Sequence, residues 1–362
     1  LWTSSKENIL GLLYTATQYM KKAVEAPLLG HPDKVCDLLV ESIVDEYIRR
    51  DPFSQLDIQA LGTNGMVMVG GVVESQADFA VIDIVRDAYR TVGYEDTPEF
   101  FVNVEKPRPE PRRQTKREGA QGTAILYGYA TNKTREMLPP AVVYARAIAS
   151  RIDDLRFSDP RFSWLRPDGK VQLVMDDDRV SHVTVIASHR QDMDVHQVQG
   201  LLFEHVLVPI LGSSDGVQLF INPAGAFTTG GFSLNAGVSG RKVLADLYGG
   251  LLPHGGVSLA GKDPLKPARA GTYMARYVAK QLVQEGVSDQ VLVQVVYTAG
   301  LATPSFVQAV TSAGEDVSGL VHERYDFRPE AIVERFHLRR PVYAGMLRSG
   351  SLGVNALPWE SV

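Results

Sequence analysis

The chain has 362 residues, of which 44% are hydrophobic and 22% charged, with a formal net charge of −5 and a single cysteine, Cys36. That length exceeds one ordinary core and sets an expectation of two or three domains. The acidic balance argues against wholesale nucleic-acid binding, and one cysteine excludes an internal disulfide framework or a Cys-rich zinc site.

No apolar run approaches the length of a membrane span. The N-terminus lacks the basic start, compact apolar stretch and cleavage site of a leader. The expectation is a cytoplasmic protein in which residues 1–19, ahead of Met20, are an extension outside the fold. In "HPDKVCDLLVESIVDEYIRRDP", Val35, Leu38, Leu39, Ile43, Val44 and Tyr47 recur at helical spacing, ending at Asp51-Pro52. "LDIQALGTNGMVMVGGVV" predicts two strands about a turn at Thr63-Asn64-Gly65. "SQADFAVIDIVRDAYRTVGY" predicts a helix after them.

Residues 104–122 break this texture. Pro107, Pro109 and Pro111 exclude regular structure and stand among Lys106, Arg108, Arg112, Arg113, Lys116 and Arg117. Such a loop is a solvated surface, a lid over a polyanionic ligand or, third, an RNA contact. The strand–strand–helix texture then returns. A hairpin is predicted around Asp176-Asp177-Asp178, with a helix in "DVHQVQGLLFEHVLVPIL". A helix is also predicted from Thr272 towards Leu282, a strand in "VLVQVVYTAG", and a helix in "RPEAIVERFHL". Three blocks of this kind imply α+β layers with helices on one face of each sheet.

Several stretches carry chemistry-bearing residues. "HGGVSLAGKDPLK" sets Lys262 and Lys266 among small residues before a helix, where unpaired N–H groups and positive potential suit an anion. "NAGVSGRKVLADLYGG" places Arg241 and Lys242 after glycines, and "WLRPDGKVQ" sets Asp168 and Lys170 at a strand. "GHPDKVCD" places His31, Asp33 and Lys34 at a helix start. Each is weak alone.

In order, GHPDK, GMVMVGG, YGYATN, WLRPDGK, FINPAGAF, SGRKVLADLYGG, HGG, GKDPLK and YMARYVAK resemble S-adenosylmethionine synthetases (methionine adenosyltransferases), from about residue 24 to "LPWE" near the C-terminus. The resemblance implies an α+β fold of three similar strand-and-helix domains around a pseudo-threefold axis. The boundaries expected from it are 1–23 (extension), 24–104 (N-terminal domain), 105–122 (Pro-rich basic loop), 123–231 (central domain) and 232–362 (C-terminal domain). It further implies a homodimer or higher oligomer with active sites at the interface, and neither membrane nor nucleic acid as partner. In the implied reaction the acceptor attacks C5′ of ATP and expels the triphosphate, which is then hydrolysed. Mg²⁺ and K⁺ assist in the family.

Carried over by matched motif, Lys170, Arg241, Lys242, Lys262 and Lys266 form a triphosphate clamp, and His31 sits near the ribose oxygens and polyphosphate bridge. Asp33 is the surviving Mg²⁺ ligand, while Asp168, Phe227, Gly261 and Asp263 belong to the nucleotide-binding set.

Five family acids are replaced. Gln59 stands at the K⁺ glutamate, which puts that ion in doubt, and Val72 at the glutamate that holds the methionine ammonium. Asn235 stands at its partner aspartate, Gly122 at the aspartate facing the sulfonium, and Ala268 at the second Mg²⁺ ligand, so the Mg²⁺ site is weakened. All five changes remove negative charge while the clamp cations remain. That asymmetry suggests altered function, with methionine or a nucleophile lacking an ammonium as the small-molecule acceptor. A nucleotide or polyphosphate hydrolase, or a non-catalytic ATP-binding paralogue pairing with an active subunit, are the alternatives.

Overall fold

The computed structural model describes residues 21–106, 119–348 and 350–361. The Pro-rich basic segment from 107 to 118 and residues 1–20 lie outside the described residues, while Lys22 and Ala23, expected in the N-terminal extension, already belong to the first strand. One structural unit occurs three times: a leading strand, a long helix, a hairpin and a packing helix. The first unit is β1 (Lys22–Pro27), α1 (Pro32–Arg50), the hairpin β2 (Gln55–Thr63) and β3 (Met66–Glu74), α2 (Val81–Val92) and β4 (Glu99–Glu105). The second is β5 (Ala124–Thr131), α3 (Pro140–Ser158), β6 (Leu165–Asp176), β7 (Arg179–His189), α4 (Val195–Leu202) and β8 (Gln218–Ile221). The third is β9 (Gly237–Val238), a short α5 (Val243–Leu247), α6 (Pro267–Gln284), β10 (Gln290–Tyr297), β11 (Phe306–Thr311) and α7 (Ser318–Arg324). After it, α8 (Pro329–Phe336) and the short α9 (Tyr343–Met346) close the chain.

Each leading strand is given away. β1 pairs with β6 of the second unit, β5 with β10 of the third, and β9 with β2 of the first. The sheets are therefore β4-β3-β2-β9, β1-β6-β7-β8 and β11-β10-β5, an α+β fold with threefold internal likeness. The long helices α1, α3 and α6 pack on the inner sheet faces, and α6 lies so close to β5 that a Cβ on Gly128 would come within 2.0 Å of the Ala275 carbonyl carbon.

Burial alternates along the strands as a half-buried sheet requires. Leu56, Ile58 and Ala60 of β2 face the core. The outer sheet faces carry large exposed apolar side chains, among them Leu61, Met68, Val72, Phe101, Ile125 and Phe306.

Two helices differ from the sequence expectation. α6 begins at Pro267, ahead of the predicted Thr272, because proline suits the first helical turn and Ala268 and Ala270 continue it. The helix opened by α4 is interrupted by a π-turn at Phe203–Leu207, ahead of Pro209. No helix among the described residues is long and apolar enough to cross a membrane.

Candidate active site

A cavity of about 600 Å³ opens where the start of α1, the strand β6 and the stretch from 227 to 242 converge. His31, Asp33, Asp168, Lys170, Phe227, Asn235, Arg241 and Lys242 all line it. Lys170 projects from β6 and Lys242 caps α5, and both ammonium groups reach Glu25 on β1, at 3.2 and 3.0 Å. Burial alone would raise the Glu25 carboxyl; the two lysines outweigh it and hold the group below the ordinary glutamate value.

His31 caps α1, its Nδ1 accepting from the Asp33 N–H at 3.2 Å. Burial pushes its imidazolium pKa down to about 4 against the opposing pull of Asp33. The ring is thus neutral at pH 7, and the Nδ1 acceptor role puts its proton on Nε2. Asp33 is buried; its Oδ1 accepts from the Val238 N–H at 2.9 Å and from Arg241 Nε at 2.8 Å.

Asp168, also buried, accepts from the Gly231 N–H at 2.8 Å, and burial lifts its carboxyl to about 6. Phe227 is fixed by a reciprocal pair with His189: its N–H donates to His189 Nε2 at 3.1 Å, and its carbonyl accepts from the His189 N–H at 2.9 Å. One cavity is thus lined by an aromatic side chain, two carboxylates and three cations.

Lys262 and Lys266 are not in it. They stand on the loop before α6, which the Ile58 N–H pins to β2 by donating to the Gly261 carbonyl at 2.8 Å. Gly261 has φ +78°, and a Cβ there would lie 1.9 Å from the Ile58 carbonyl oxygen, so glycine is demanded by backbone packing. Asp263 is wholly buried, accepting from the Leu56 N–H at 2.9 Å and the Leu265 N–H at 2.8 Å. Both residues, grouped by sequence with nucleotide binding, here hold the loop to the sheet and lie away from the cavity. Burial lowers the pKa of Lys262, against the opposing charge of Asp57. Lys266 lines a second cavity of about 390 Å³ with Gln55, Val72, Gly122 and Ala299.

The five cations expected as one clamp therefore form two sets within a single chain: Lys170, Arg241 and Lys242 line the first cavity together with His31, while Lys262 and Lys266 stand on the loop before α6, where Lys266 lines the second cavity. Of the altered positions, Val72 and Gly122 line the second cavity and Asn235 the first. Gln59 accepts from Ser239 Oγ at 2.9 Å, and Ala268 is buried in the first turn of α6.

Sequence reasoning missed Glu25. Its signal was an acid inside the otherwise apolar strand KAVEAP, five residues before GHPDK. Lys34, read with the GHPDK stretch, is a buried brace instead, paired with Asp246 at 2.6 Å and Asp37 at 3.4 Å.

Among the described residues no three His, Cys, Asp or Glu side chains gather to cage a metal. Asp33 retains an oxygen, Oδ2, that accepts no hydrogen bond from any described residue. That fits Mg²⁺ arriving on nucleotide phosphates, which needs only one or two carboxylates. Gln59 brings no charge for K⁺.

Family profiles for the N-terminal, central and C-terminal domains of S-adenosylmethionine synthetase match residues 21–106, 117–227 and 229–361. The S-adenosylmethionine synthase of Pseudothermotoga lettingae is 33% identical, over 92% of this chain and 94% of its own. Those of Sorangium cellulosum and Aquifex aeolicus are 34% and 32% identical, covering 91% and 95% of this chain and 85% and 97% of theirs. With all three domains matched in order, the chain belongs to the S-adenosylmethionine synthetase family.

Proposed function

We propose that the protein is an ATP-dependent adenosyltransferase of the S-adenosylmethionine synthase type, with methionine or a nucleophile lacking an ammonium as acceptor. A lone pair of the acceptor forms the bond to C5′, the C5′–O5′ bond breaks, and its electron pair leaves with the triphosphate. The observation that carries this reading is the convergence of Lys170, Arg241, Lys242 and neutral His31 on one cavity beside Phe227 and Asp168.

Triphosphate leaves readily only where its growing charge meets preorganised cations and donors. Glu25 holds the two lysines in place before nucleotide arrives, and displacement of that contact by phosphate oxygens frees their charge for the leaving group. The His31 Nε2–H donates to a bridging or ribose oxygen without adding a proton that would have to be removed later. Phe227 offers a ring face to adenine, and Asp168 an acceptor to the nucleoside. Mg²⁺, bound through the phosphates and Asp33, would neutralise further triphosphate charge.

Lys262 and Lys266 join this site only if another copy brings its second cavity against the first. The exposed apolar outer sheet faces support a homodimer or larger assembly of that kind. A hydrolase or a non-catalytic paralogue is favoured by one observation, the uncharged Val72 and Gly122 in the second cavity. The test is ATP consumption with and without methionine: acceptor-dependent consumption supports transfer, and acceptor-independent phosphate release supports hydrolysis.

A further inference from the structure

The turn 28–31, which leads from β1 into α1 and sets His31 at the first cavity, is gripped from behind the cavity wall. Gly30 is buried, and its carbonyl accepts from the Tyr94 hydroxyl at 2.5 Å. One residue earlier, the Leu29 N–H donates to Asp153 Oδ2 at 3.0 Å. A Cβ at Gly30 would lie 2.3 Å from Pro167 Cβ, so the turn also packs directly on the residue that precedes Asp168.

Tyr94 touches the opposite wall as well. Gly231, whose N–H donates to Asp168 at 2.8 Å, has φ +66°, and a Cβ there would fall 2.5 Å from Tyr94 Cζ, the ring carbon that carries the hydroxyl. The same end of one phenol thus lies between the residue before His31 and the peptide that holds Asp168. Its ring is itself fixed: Tyr94 stacks on Tyr89 with centroids 6.0 Å apart, and Tyr89 stacks on Phe232 at 5.8 Å. Burial holds the phenol well above its ordinary pKa, so it donates as a neutral hydroxyl. With Nδ1 tied to the Asp33 N–H, the His31 ring follows its backbone.

We infer that Tyr94 is a positioning residue, which sets the spacing of His31 from Asp168 through its hydroxyl bond to Gly30 and so aligns the His31 Nε2–H with the oxygen it meets. This rests on the reading above, in which His31 meets a bridging or ribose oxygen and Asp168 the nucleoside. Tyr94 stands behind the cavity lining and not in it, so it acts only through these two groups. A donor misplaced by about 1 Å can cost on the order of 10²-fold in rate, whereas ground-state binding, spread over several cations, changes little.

The test is Tyr94→Phe, which keeps the stacked ring and removes only the hydroxyl, while Asp153 still holds the turn. With ATP, Mg²⁺ and methionine, kcat should fall by about 10- to 100-fold and KM for ATP should stay as it is. In a His31→Asn background the same substitution should cost little more, because its effect passes through His31. Equal fold-losses in the two backgrounds, or an unchanged kcat, would overturn the assignment.

Imidazole nitrogen-15 NMR at fixed pH reads the inference without turnover. The signal that disappears in His31→Asn should shift in Tyr94→Phe, with the thermal midpoint checked to confirm an intact fold. If the native protein yields no adenosyl product but that signal still shifts, Tyr94 stands as the residue that places His31 and the transfer reading falls. If the signal does not shift, the Tyr94 assignment falls whatever reaction the protein performs.

Discussion

Glu25 sits between the ammonium groups of Lys170 and Lys242, at 3.2 and 3.0 Å, and so decides where two clamp charges wait. Replacing it with glutamine removes the holding charge but leaves both lysines available to phosphate. Glu25→Gln should therefore lower kcat by about 10-fold, in line with one misplaced charge-assisted contact, without raising KM for ATP. Lys242→Ala removes the cation itself and should cost on the order of 10²–10³ in kcat. Steady-state kinetics with ATP as the varied substrate checks both.

His31 gives a pH prediction. Its pKa is about 4 in the folded chain and about 6.5 in the unfolded one. As pH falls, the unfolded chain takes up the proton first, so His31 makes stability decline across that interval, with no further loss below it. Buried Asp168 and Asp153, raised to about 6, have the opposite sign, so the comparison must be differential. His31→Asn keeps a helix-capping side chain, and its thermal midpoint should fall less between about pH 6.5 and 4 than that of the native protein.

His31, Lys170, Arg241 and Lys242, picked out as residues of short unbroken motifs, do line one cavity, whereas the motif containing Lys262 and Lys266 lies elsewhere in the chain. Glu25 was hidden because a single acid in a strand says nothing about which cations face it until β1 is paired with β6. Gly261 and Asp263 have a packing role that the sequence could not separate from a binding one: a loop that must touch a strand and a loop that must touch a ligand both need glycine and a hydrogen-bonding acid.

At the scale of elements, α6 is held by ion pairs that no periodicity reveals. Glu360, near the C-terminus, receives Arg276 at 2.8 Å and Lys280 at 3.0 Å, all buried, while Trp359 stacks on Tyr273 with ring centroids 3.8 Å apart. Arg276 also donates to the Tyr129 carbonyl of β5 at 2.6 Å, so the chain end, the helix and the exchanged strand lock together. Glu360→Gln strands two buried cations and should destabilise the fold by about 3–5 kcal/mol, read by denaturant unfolding. Strands, hairpin turns and the long helices could be read from alternation and helical spacing. Which sheet each leading strand joins could not, since a period of two marks a strand and leaves its partner open.

For the whole molecule, the two cavities and the open sheet faces make one argument. In the proposed reading Lys262 and Lys266 would complete a triphosphate site across an interface, so assembly and turnover should be lost together. Phe101→Asp, on an outer face where Phe101 is 50% exposed, should shift the protein to monomers by light scattering and abolish activity. A fully active monomer would contradict a shared site. The most direct measurement of the central claim is mass spectrometry of the purified protein with ATP, Mg²⁺, K⁺ and methionine, against a control without methionine. The account predicts an adenosyl sulfonium product that requires methionine and appears with loss of the triphosphate chain from C5′. ADP and phosphate formed equally in both reactions, with no adenosyl product, would contradict it.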